Sequence, residues 1–473
     1  MTTVPLLRRL PAVDRLLSEP ALADVIALYG RALVTVQARR ELDALRRDIR
    51  SGTTDQETLS RRLDGLAGRI AGDLHRRLGG LRRVINATGI FVHTNLGRAP
   101  LPAEVMAEVA PLLSGYCDLE MSLDTGRRAE RNRRASALLE ALCGTQAALV
   151  TNNNAAAMVL ALTALARGRE VIVSRGELVE IGGSFRIPDI LEASGATLVE
   201  VGTTNRTRVD DYRRAITPET ALLLKVHPSN YRIIGFTEEA SAAELASLGR
   251  EVNVPVFVDE GSGLILDDDR PQMRDHDSLK RLLDVGVHLV CGSGDKVLGG
   301  PQAGLLLGDA DLVKRCRKHP LYRAVRPDGF TFSTLEAVLR RRLAGKPMPL
   351  DRLWPEPEVH RTRLGRFAEK LAALGLSAEL IDASAYLGGG AGAERPIAGQ
   401  ALALDAGESV LAALRRGEPA VLGYVREDRL ILDLRTVEPE DETALADAVG
   451  RAFTSVRRIG DRPTADPASE GTP

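Results

Sequence analysis

The chain has 473 residues, 44% of them apolar and 27% charged, with a net charge of −1, enough to bury a large catalytic core with smaller flanking parts. The four cysteines, Cys117, Cys143, Cys291 and Cys316, show no CxxC spacing and the seven histidines form no HxxxH-like cluster, which argues against a disulfide framework or a structural zinc site. No apolar run reaches the about 18 residues of a spanning helix, and residues 1–20 interleave Arg and Pro where a signal peptide needs an apolar core. The expectation is a soluble, cytoplasmic protein with no membrane partner and no metal.

The amino-terminal part reads as helix. From Pro11 to about Gly80, the apolar residues Val25, Leu28, Leu33, Val36, Leu42, Leu45 and Ile49 recur at roughly helical steps among arginines, which predicts a small helical module over 1–83. Ser51-Gly52-Thr53-Thr54 is expected to interrupt it and to cap a further helix from Gln56 to Leu78, with Gly79-Gly80 ending the module. Residues 1–85 carry sixteen arginines and no lysine against ten acidic residues, a local +6 in a chain whose remainder is net acidic. Such a surface is either a set of solvated helical faces or a docking surface for a polyanion.

Between Ala147 and Gly308 short apolar strands alternate with helical segments. They are Ala148 to Thr151, Glu170 to Ser174, Thr197 to Val201, Ala221 to Val226, Val254 to Asp259, Val287 to Cys291 and Gly304 to Leu307. That alternation predicts an α/β fold with a mainly parallel central sheet covered by helices on both faces, and ligands in such sheets bind beyond the carboxyl ends of the strands. From about Leu350 a helix, Val359 to Leu374, precedes short strands near Ala401 to Leu404, Ala420 to Tyr424 and Leu430 to Leu434, with Gly388-Gly389-Gly390 as a loop among them. The expected division is a helical module over 1–83, a large catalytic domain over 84–345, a smaller α/β domain over 346–462 and a disordered polar tail over 463–473.

Within this frame, Lys296 stands out. It lies in Ser293-Gly294-Asp295-Lys296-Val297-Leu298-Gly299-Gly300-Pro301-Gln302, just after the apolar run Val287 to Val290, and the chain has only seven lysines where arginine is abundant. A lysine delivered by a strand into a glycine-rich loop can approach a planar cofactor, and burial would lower its pKa toward the reactive free base. Asp259 ends another strand, one crossover helix (Ser278 to Val285) and one strand earlier, so amine and carboxylate can reach the same rim of the sheet. Pyridoxal phosphate needs that pair, the lysine for its aldehyde and the carboxylate for its ring nitrogen. A strand-terminal Asp can also cap a helix or bind a metal.

Asn152-Asn153-Asn154-Ala155 opens the apolar helix Met158 to Ala166, so Asn153, Asn154 and Ala155 either hold a phosphate at the helix amino terminus or serve as an ordinary cap. Ser293 could add a hydroxyl to that phosphate or simply form a turn. His227 and Tyr231 follow a strand and either line the cleft or flank a turn. Arg98, Arg323 and Arg326 fit a phosphate-like substrate, and equally fit surface ion pairs in so arginine-rich a chain.

Several longer runs are more specific. Ile85-Asn86-Ala87-Thr88-Gly89, the stretch His93 to Leu101, the triple-Asn loop, the stretch Ser174 to Pro188, Val201 to Thr207 and Ser293 to Gly304 together resemble the bacterial selenocysteine synthase family, the L-seryl-tRNA(Sec) selenium transferases. The resemblance runs from Leu10-Pro11-Ala12-Val13-Asp14 into the carboxy-terminal domain. It implies a fold-type-I pyridoxal 5'-phosphate enzyme with a tRNA-binding amino-terminal module, assembled as a homodecamer of five dimers. It also implies that Lys296 bonds the cofactor aldehyde, that Asp295, Arg98, Arg323 and Arg326 belong to the catalytic and selenophosphate-binding region, and that Ser-tRNA(Sec) is the substrate. The same cofactor residues would serve a related lyase acting on a small amino acid or amino sugar acid without tRNA. The chain departs from the family pattern twice: Asp259 is followed by Glu260 where Leu is usual, and Gly329 stands where a lysine is usual, removing a cation near the expected oxyanion site.

Overall fold

A computed structural model describes residues 3–181, 185–228, 230–274, 276–391 and 395–460; the expected tail over 463–473, and Gly182, Gly183, Ser184 and Ser229 of the runs singled out above, lie outside them. The chain forms two compact units, Met1–Arg83 and the part from Val84 onward. In the first, Gly30 takes a left-handed backbone (φ 83°) between helices Ala23–Tyr29 and Arg31–Arg50. This break resets the helical register. The core side of the long helix is Val34, Ala38, Leu42, Leu45 and Ile49, packed with Val25, Leu59, Ile70 and Leu74. Leu28, Leu33 and Val36, read from the sequence as one stripe with them, are exposed. The expected single helix Gln56 to Leu78 is likewise two, Gln56–Leu63 and Leu66–Leu78, and its cap is Asp55, whose carboxylate accepts the Thr58 N–H at 2.8 Å.

The second unit is built on a seven-stranded sheet. In spatial order its strands are Ala147–Thr151, Gly304–Gly308, Leu289–Ser293, Val256–Asp259, Thr220–Val226, Glu170–Ser174 and Thr197–Val201. All neighbours are parallel except Gly304–Gly308, which runs antiparallel to both of its partners. Apart from the edge strand Thr197–Val201, which is only partly buried, both faces of the sheet are covered, so the strands read as mostly apolar runs. Successive side chains go to opposite cores: Val150, Ile172, Leu223, Val256, Val258, Val290 and Leu305 to one, Leu149, Val171, Leu222, Phe257, Leu289 and Leu306 to the other. All seven strands fall within a few residues of their expected positions.

The carboxy-terminal part carries a five-stranded sheet, ordered Tyr424–Arg426, Arg429–Leu432, Ile397–Leu404, Ala378–Gly388 and Ile90–Val92. Its last strand comes from the beginning of the unit, with Ile90 beside Tyr386 and Val92 beside Gly388. Val84–Asn86 pairs in the same way with Ala420–Leu422. The 84–92 segment therefore pairs with strands of the carboxy-terminal part. Gly388 ends a long strand, Ala378–Gly388, which the sequence reading did not contain; only the turn Gly389-Gly390 is a loop.

Asp433 and Arg435 close this part of the molecule. Both are buried; Arg435 Nη2 lies 2.6 Å from Asp433 Oδ2, and its other donors reach the carbonyls of Ile397 (2.8 Å) and Ala383 (3.3 Å). The Asp433 N–H donates to Ala87 O at 2.9 Å, which ties the pair to the 84–92 segment. Removing one member of a buried, fully bonded pair strands the other charge. Arg435→Ala is expected to cost about 3–5 kcal/mol of stability, read as a lowered urea midpoint.

Candidate active site

Lys296 follows the strand Leu289–Ser293 in a tight turn and is 8% exposed. Its Nζ donates to two backbone carbonyls, Gly261 O at 2.9 Å and Gly390 O at 3.2 Å. A carbonyl solvates an amine without supplying a full countercharge, and burial lowers the Lys296 pKa; Asp259, Glu260 and Asp295 push it back up and Arg98 pushes it down. Gly390 is also demanded by this approach: a Cβ there would lie 2.5 Å from Lys296 Nζ, and its φ is +73°. The two carbonyls reach Lys296 from the end of one strand of the large sheet and from the turn that ends the long strand of the small one.

Asp259 occupies the last position of Val256–Asp259, 4% exposed. Its Oδ1 accepts from Asn154 Nδ2 at 2.7 Å, and the Cys291 thiol lies 3.5 Å from the same oxygen. Burial raises its pKa, with the Asn154 bond, the Lys296 charge and the Cys291 contact holding it down. Asn153 is the helix cap, accepting the Ala156 N–H at 2.9 Å, so among the described residues the N–H groups of Asn154 and Ala155 remain open to an anion. Asn154 Oδ1 is buried and has no hydrogen-bond partner among the described residues. Ser293 ends its strand, buried in the same region. His227 follows Thr220–Val226; its N–H donates to Asp259 O at 2.9 Å and its ring sits 5.0 Å from that of His276. Burial, then the charges of His276, Lys225, Lys296 and Arg395, push the His227 pKa down to about 3, so the imidazole is neutral and can lie against an aromatic ring.

Arg98 and Asp295 form the next layer. Arg98 Nε lies 2.8 Å from Asp295 Oδ2, and the Ala99 N–H donates to Asp295 O at 3.2 Å. Arg98 takes a left-handed backbone (φ 73°), which costs energy for a side chain with a Cβ and is held here by hydrogen bonds between residues 93 and 98. The Asp295 carboxyl is pushed up by burial and held down mainly by Arg98.

The other two arginines are placed differently from each other. Both lie at Leu321–Arg326, a segment joined to the triple-Asn loop by the Asn152 N–H donating to Val325 O at 2.8 Å. Arg323 is exposed and makes no ion pair among the described residues. Arg326 is 3.4 Å from Glu120, a carboxylate also bound by Arg131 at 3.0 Å, so its charge is partly spent inside the protein. Gly329 begins the helix Gly329–Leu343, and a Cβ there would come within 3.3 Å of Leu119.

Sequence reasoning missed two buried carboxylates. Glu177 sits 2.8 Å from Lys225 Nζ and accepts the Val226 N–H at 2.9 Å. It belongs to the Ser174 to Pro188 run, where its acid was visible but its partner, 48 residues away, was not. Glu260 is buried beside Asp259 and Lys296; a carboxylate in place of the family's Leu was the signal for it. Tyr231 does not line the cleft through its hydroxyl, which donates to Gly176 O.

A buried lysine and a strand-end carboxylate beyond the carboxyl ends of a mainly parallel sheet define the class: the fold-type-I pyridoxal-phosphate-dependent enzymes. Among solved structures the chain resembles a D-glucosaminate-6-phosphate ammonia-lyase in fold, with a TM-score of 0.56 at 21% identity, over 81% of this chain and 99% of that one. The family model for L-seryl-tRNA selenium transferase matches residues 84–438, and that for the selenocysteine synthase N terminal matches residues 7–46. Curated relatives include the L-seryl-tRNA(Sec) selenium transferases of Geobacter sulfurreducens, 43% identical over 93% of this chain and 98% of the relative, and of Moorella thermoacetica, 44% identical over 95% and 97%. The chain belongs to the L-seryl-tRNA(Sec) selenium transferase family.

The close approach at Gly390 gives a direct test. Gly390→Ala is expected to displace the lysine amine and strain the turn, lowering affinity for pyridoxal phosphate about fivefold or more, the equivalent of about 1–3 kcal/mol. Equilibrium titration of the apo-protein followed by absorbance measures it.

Proposed function

We propose that this chain converts L-seryl-tRNA(Sec) to L-selenocysteinyl-tRNA(Sec), with pyridoxal 5'-phosphate as cofactor and selenophosphate as selenium donor. The observation that carries the reading is Lys296, a buried amine held on two neutral carbonyls within the field of Asp259. The residues present fit the cofactor. Among the described residues the N–H groups of Asn154 and Ala155 are open to a phosphate, the site has a glycine where a Cβ would meet the lysine, and Asp259 is a buried carboxyl that a protonated ring nitrogen would stabilise.

When bound, pyridoxal phosphate supplies the electron sink that makes the hydroxyl of a seryl group replaceable. Lys296 would anchor its aldehyde and, as a free amine, take the proton from the seryl Cα. Asp259 would hold the proton on the ring nitrogen, His227 would lie against the ring, and Asn153, Asn154, Ala155 and Ser293 would receive the phosphate. Asp295 would hold Arg98 in place for the reacting group. Arg323, the one of the three that forms no ion pair among the described residues, would meet the negative charge of the donor, with Arg98 and Arg326 in support.

The substrate's bulk is RNA, which calls for a surface outside the cleft. On helix Arg31–Arg50 the exposed Arg39, Arg40, Arg47 and Arg50 form no ion pair among the described residues and are free to meet phosphates. The match of residues 7–46 to the selenocysteine synthase N terminal favours this tRNA-directed reading over a lyase of small amino acids. The proposed assembly is a homodecamer of five dimers in the cytoplasm. Exposed Tyr116, Leu123, Ile234 and Phe236 on the second unit are apolar surface that another copy would cover. Among the described residues no helix is long and apolar enough to cross a membrane.

A single-turnover assay with Ser-tRNA(Sec) and selenophosphate, identifying the amino acid left on the tRNA, tests the reading. Lys296→Ala is expected to yield no selenocysteine while still binding the tRNA. Arg323→Ala is expected to keep tRNA binding and raise the selenophosphate requirement about tenfold, as for the loss of one charge-assisted hydrogen bond. Equal turnover of free serine by the wild type would instead favour the lyase.

A further inference from the structure

Beside Lys296 the chain carries an ionisable side chain to which the reading above gives no task. Glu260 is 3% exposed. Its Oε2 accepts the Gly263 N–H at 2.7 Å, its Oε1 accepts the Ser262 hydroxyl, and its own N–H donates to Cys291 O at 3.0 Å. These bonds close the turn 259–263 onto the strand Leu289–Ser293. The turn in turn bears on the amine, because Gly261 O accepts from Lys296 Nζ and Ser262 O accepts the Val297 N–H at 3.1 Å. Only neutral donors are bonded to this carboxyl among the described residues.

We infer that Glu260 is a positioning residue: it clasps the turn whose Gly261 carbonyl carries the Lys296 amine, and its own ionisation adjusts the proton affinity of that amine. The inference rests on Lys296 being the cofactor's anchor. When Glu260 is ionised, its negative charge favours a protonated lysine nitrogen; when Glu260 takes up a proton, that support is withdrawn and the nitrogen releases its own proton more readily. The exchange falls in the working range. Burial pushes the Glu260 pKa up to about 7, with the Ser262 and Gly263 bonds and the Lys296 charge holding it down and Asp259 pushing it further up.

The groups that face Glu260 set the background for this titration. Asp259 lies on its own turn, Cys291 on the neighbouring strand and Lys296 on the following loop. Asp295 and Arg98 act on Lys296 from the lysine loop and the His93 to Leu101 stretch, and His227, at the end of Thr220–Val226, feels the Lys296 charge. Cys291 is pushed well above the usual thiol range by burial and stays protonated, and His227 stays neutral, so neither competes. The charged groups acting on Glu260 are therefore Asp259 and the lysine.

The test loads the full-length protein with pyridoxal phosphate and follows the visible band of the lysine-linked cofactor against pH, in the wild type, Glu260→Gln and Glu260→Leu, with thermal melts as the control for folding. Glu260→Gln keeps the size and hydrogen-bonding capacity of the clasp but cannot ionise. Its midpoint is expected about one pH unit below the wild-type value, because a charge that stabilised the protonated nitrogen is gone. Glu260→Leu is expected to show the same downward shift and, having lost the clasp, weaker loading as well. A clasp without an electrostatic role would weaken loading in the Leu variant and leave the midpoint where it was. An unchanged midpoint in whichever variant loads and melts normally overturns the inference. A wild type with no lysine-linked band overturns the reading of Lys296, and the inference with it.

Discussion

The structure turns on how a buried amine is accommodated. Two lysines are almost entirely enclosed, Lys225 and Lys296, and they are treated in opposite ways. Lys225 has a carboxylate at hydrogen-bond distance, Glu177, which together with Glu239 outweighs its burial and keeps it charged. Lys296 has carbonyl oxygens at that distance and its carboxylates further out, so burial wins and its proton is held loosely. The first arrangement makes a structural strut. The second leaves an amine that gives up its proton readily, as the role proposed for Lys296 requires.

That arrangement cannot be assembled locally. One carbonyl belongs to the turn after Val256–Asp259, the other to the turn after Ala378–Gly388, and the lysine to the turn after Leu289–Ser293. The central sheet fixes the first and third through parallel pairing, with Leu289 beside Phe257 and Cys291 beside Asp259. The second is fixed through the small sheet, whose edge strand Ile90–Val92 leads within a few residues to Arg98 and hence to Asp295. A single stretch of chain from Val84 to Arg98 thus joins the carboxy-terminal part to the loop that bears Lys296. The buried Asp433–Arg435 pair matters to the site for that reason, although it touches none of its residues.

The sequence was most legible where burial was complete. Six strands of the central sheet could be read because side chains on both faces meet apolar cores, and Asp259 and Lys296 stood out because the first ends such a run and the second closely follows one. The strand Ala378–Gly388 was hidden because only part of it is buried and its composition, with Glu379, Asp382 and Ser384, mixes polar and apolar residues without a clean alternation. The helical stripe of the amino-terminal unit was misread because Gly30 shifts the phase, something periodicity alone does not register. Partners were the least legible of all: Glu177 for Lys225 and Glu120 for Arg326 lie far away in sequence, so the sequence showed the charges but not which of them cancel. Glu260 was visible as a departure from its family's pattern, and its meaning became physical only when the turn it clasps was in view.

Reduction with sodium borohydride would test the central claim most directly. The protein, loaded with pyridoxal phosphate, is reduced to make the lysine linkage permanent, digested, and its peptides read by mass spectrometry. The account expects the pyridoxyl group on the peptide bearing Lys296 and on no other. A label on Lys225 or any other lysine, or no label on a protein that has taken up the cofactor, would contradict it.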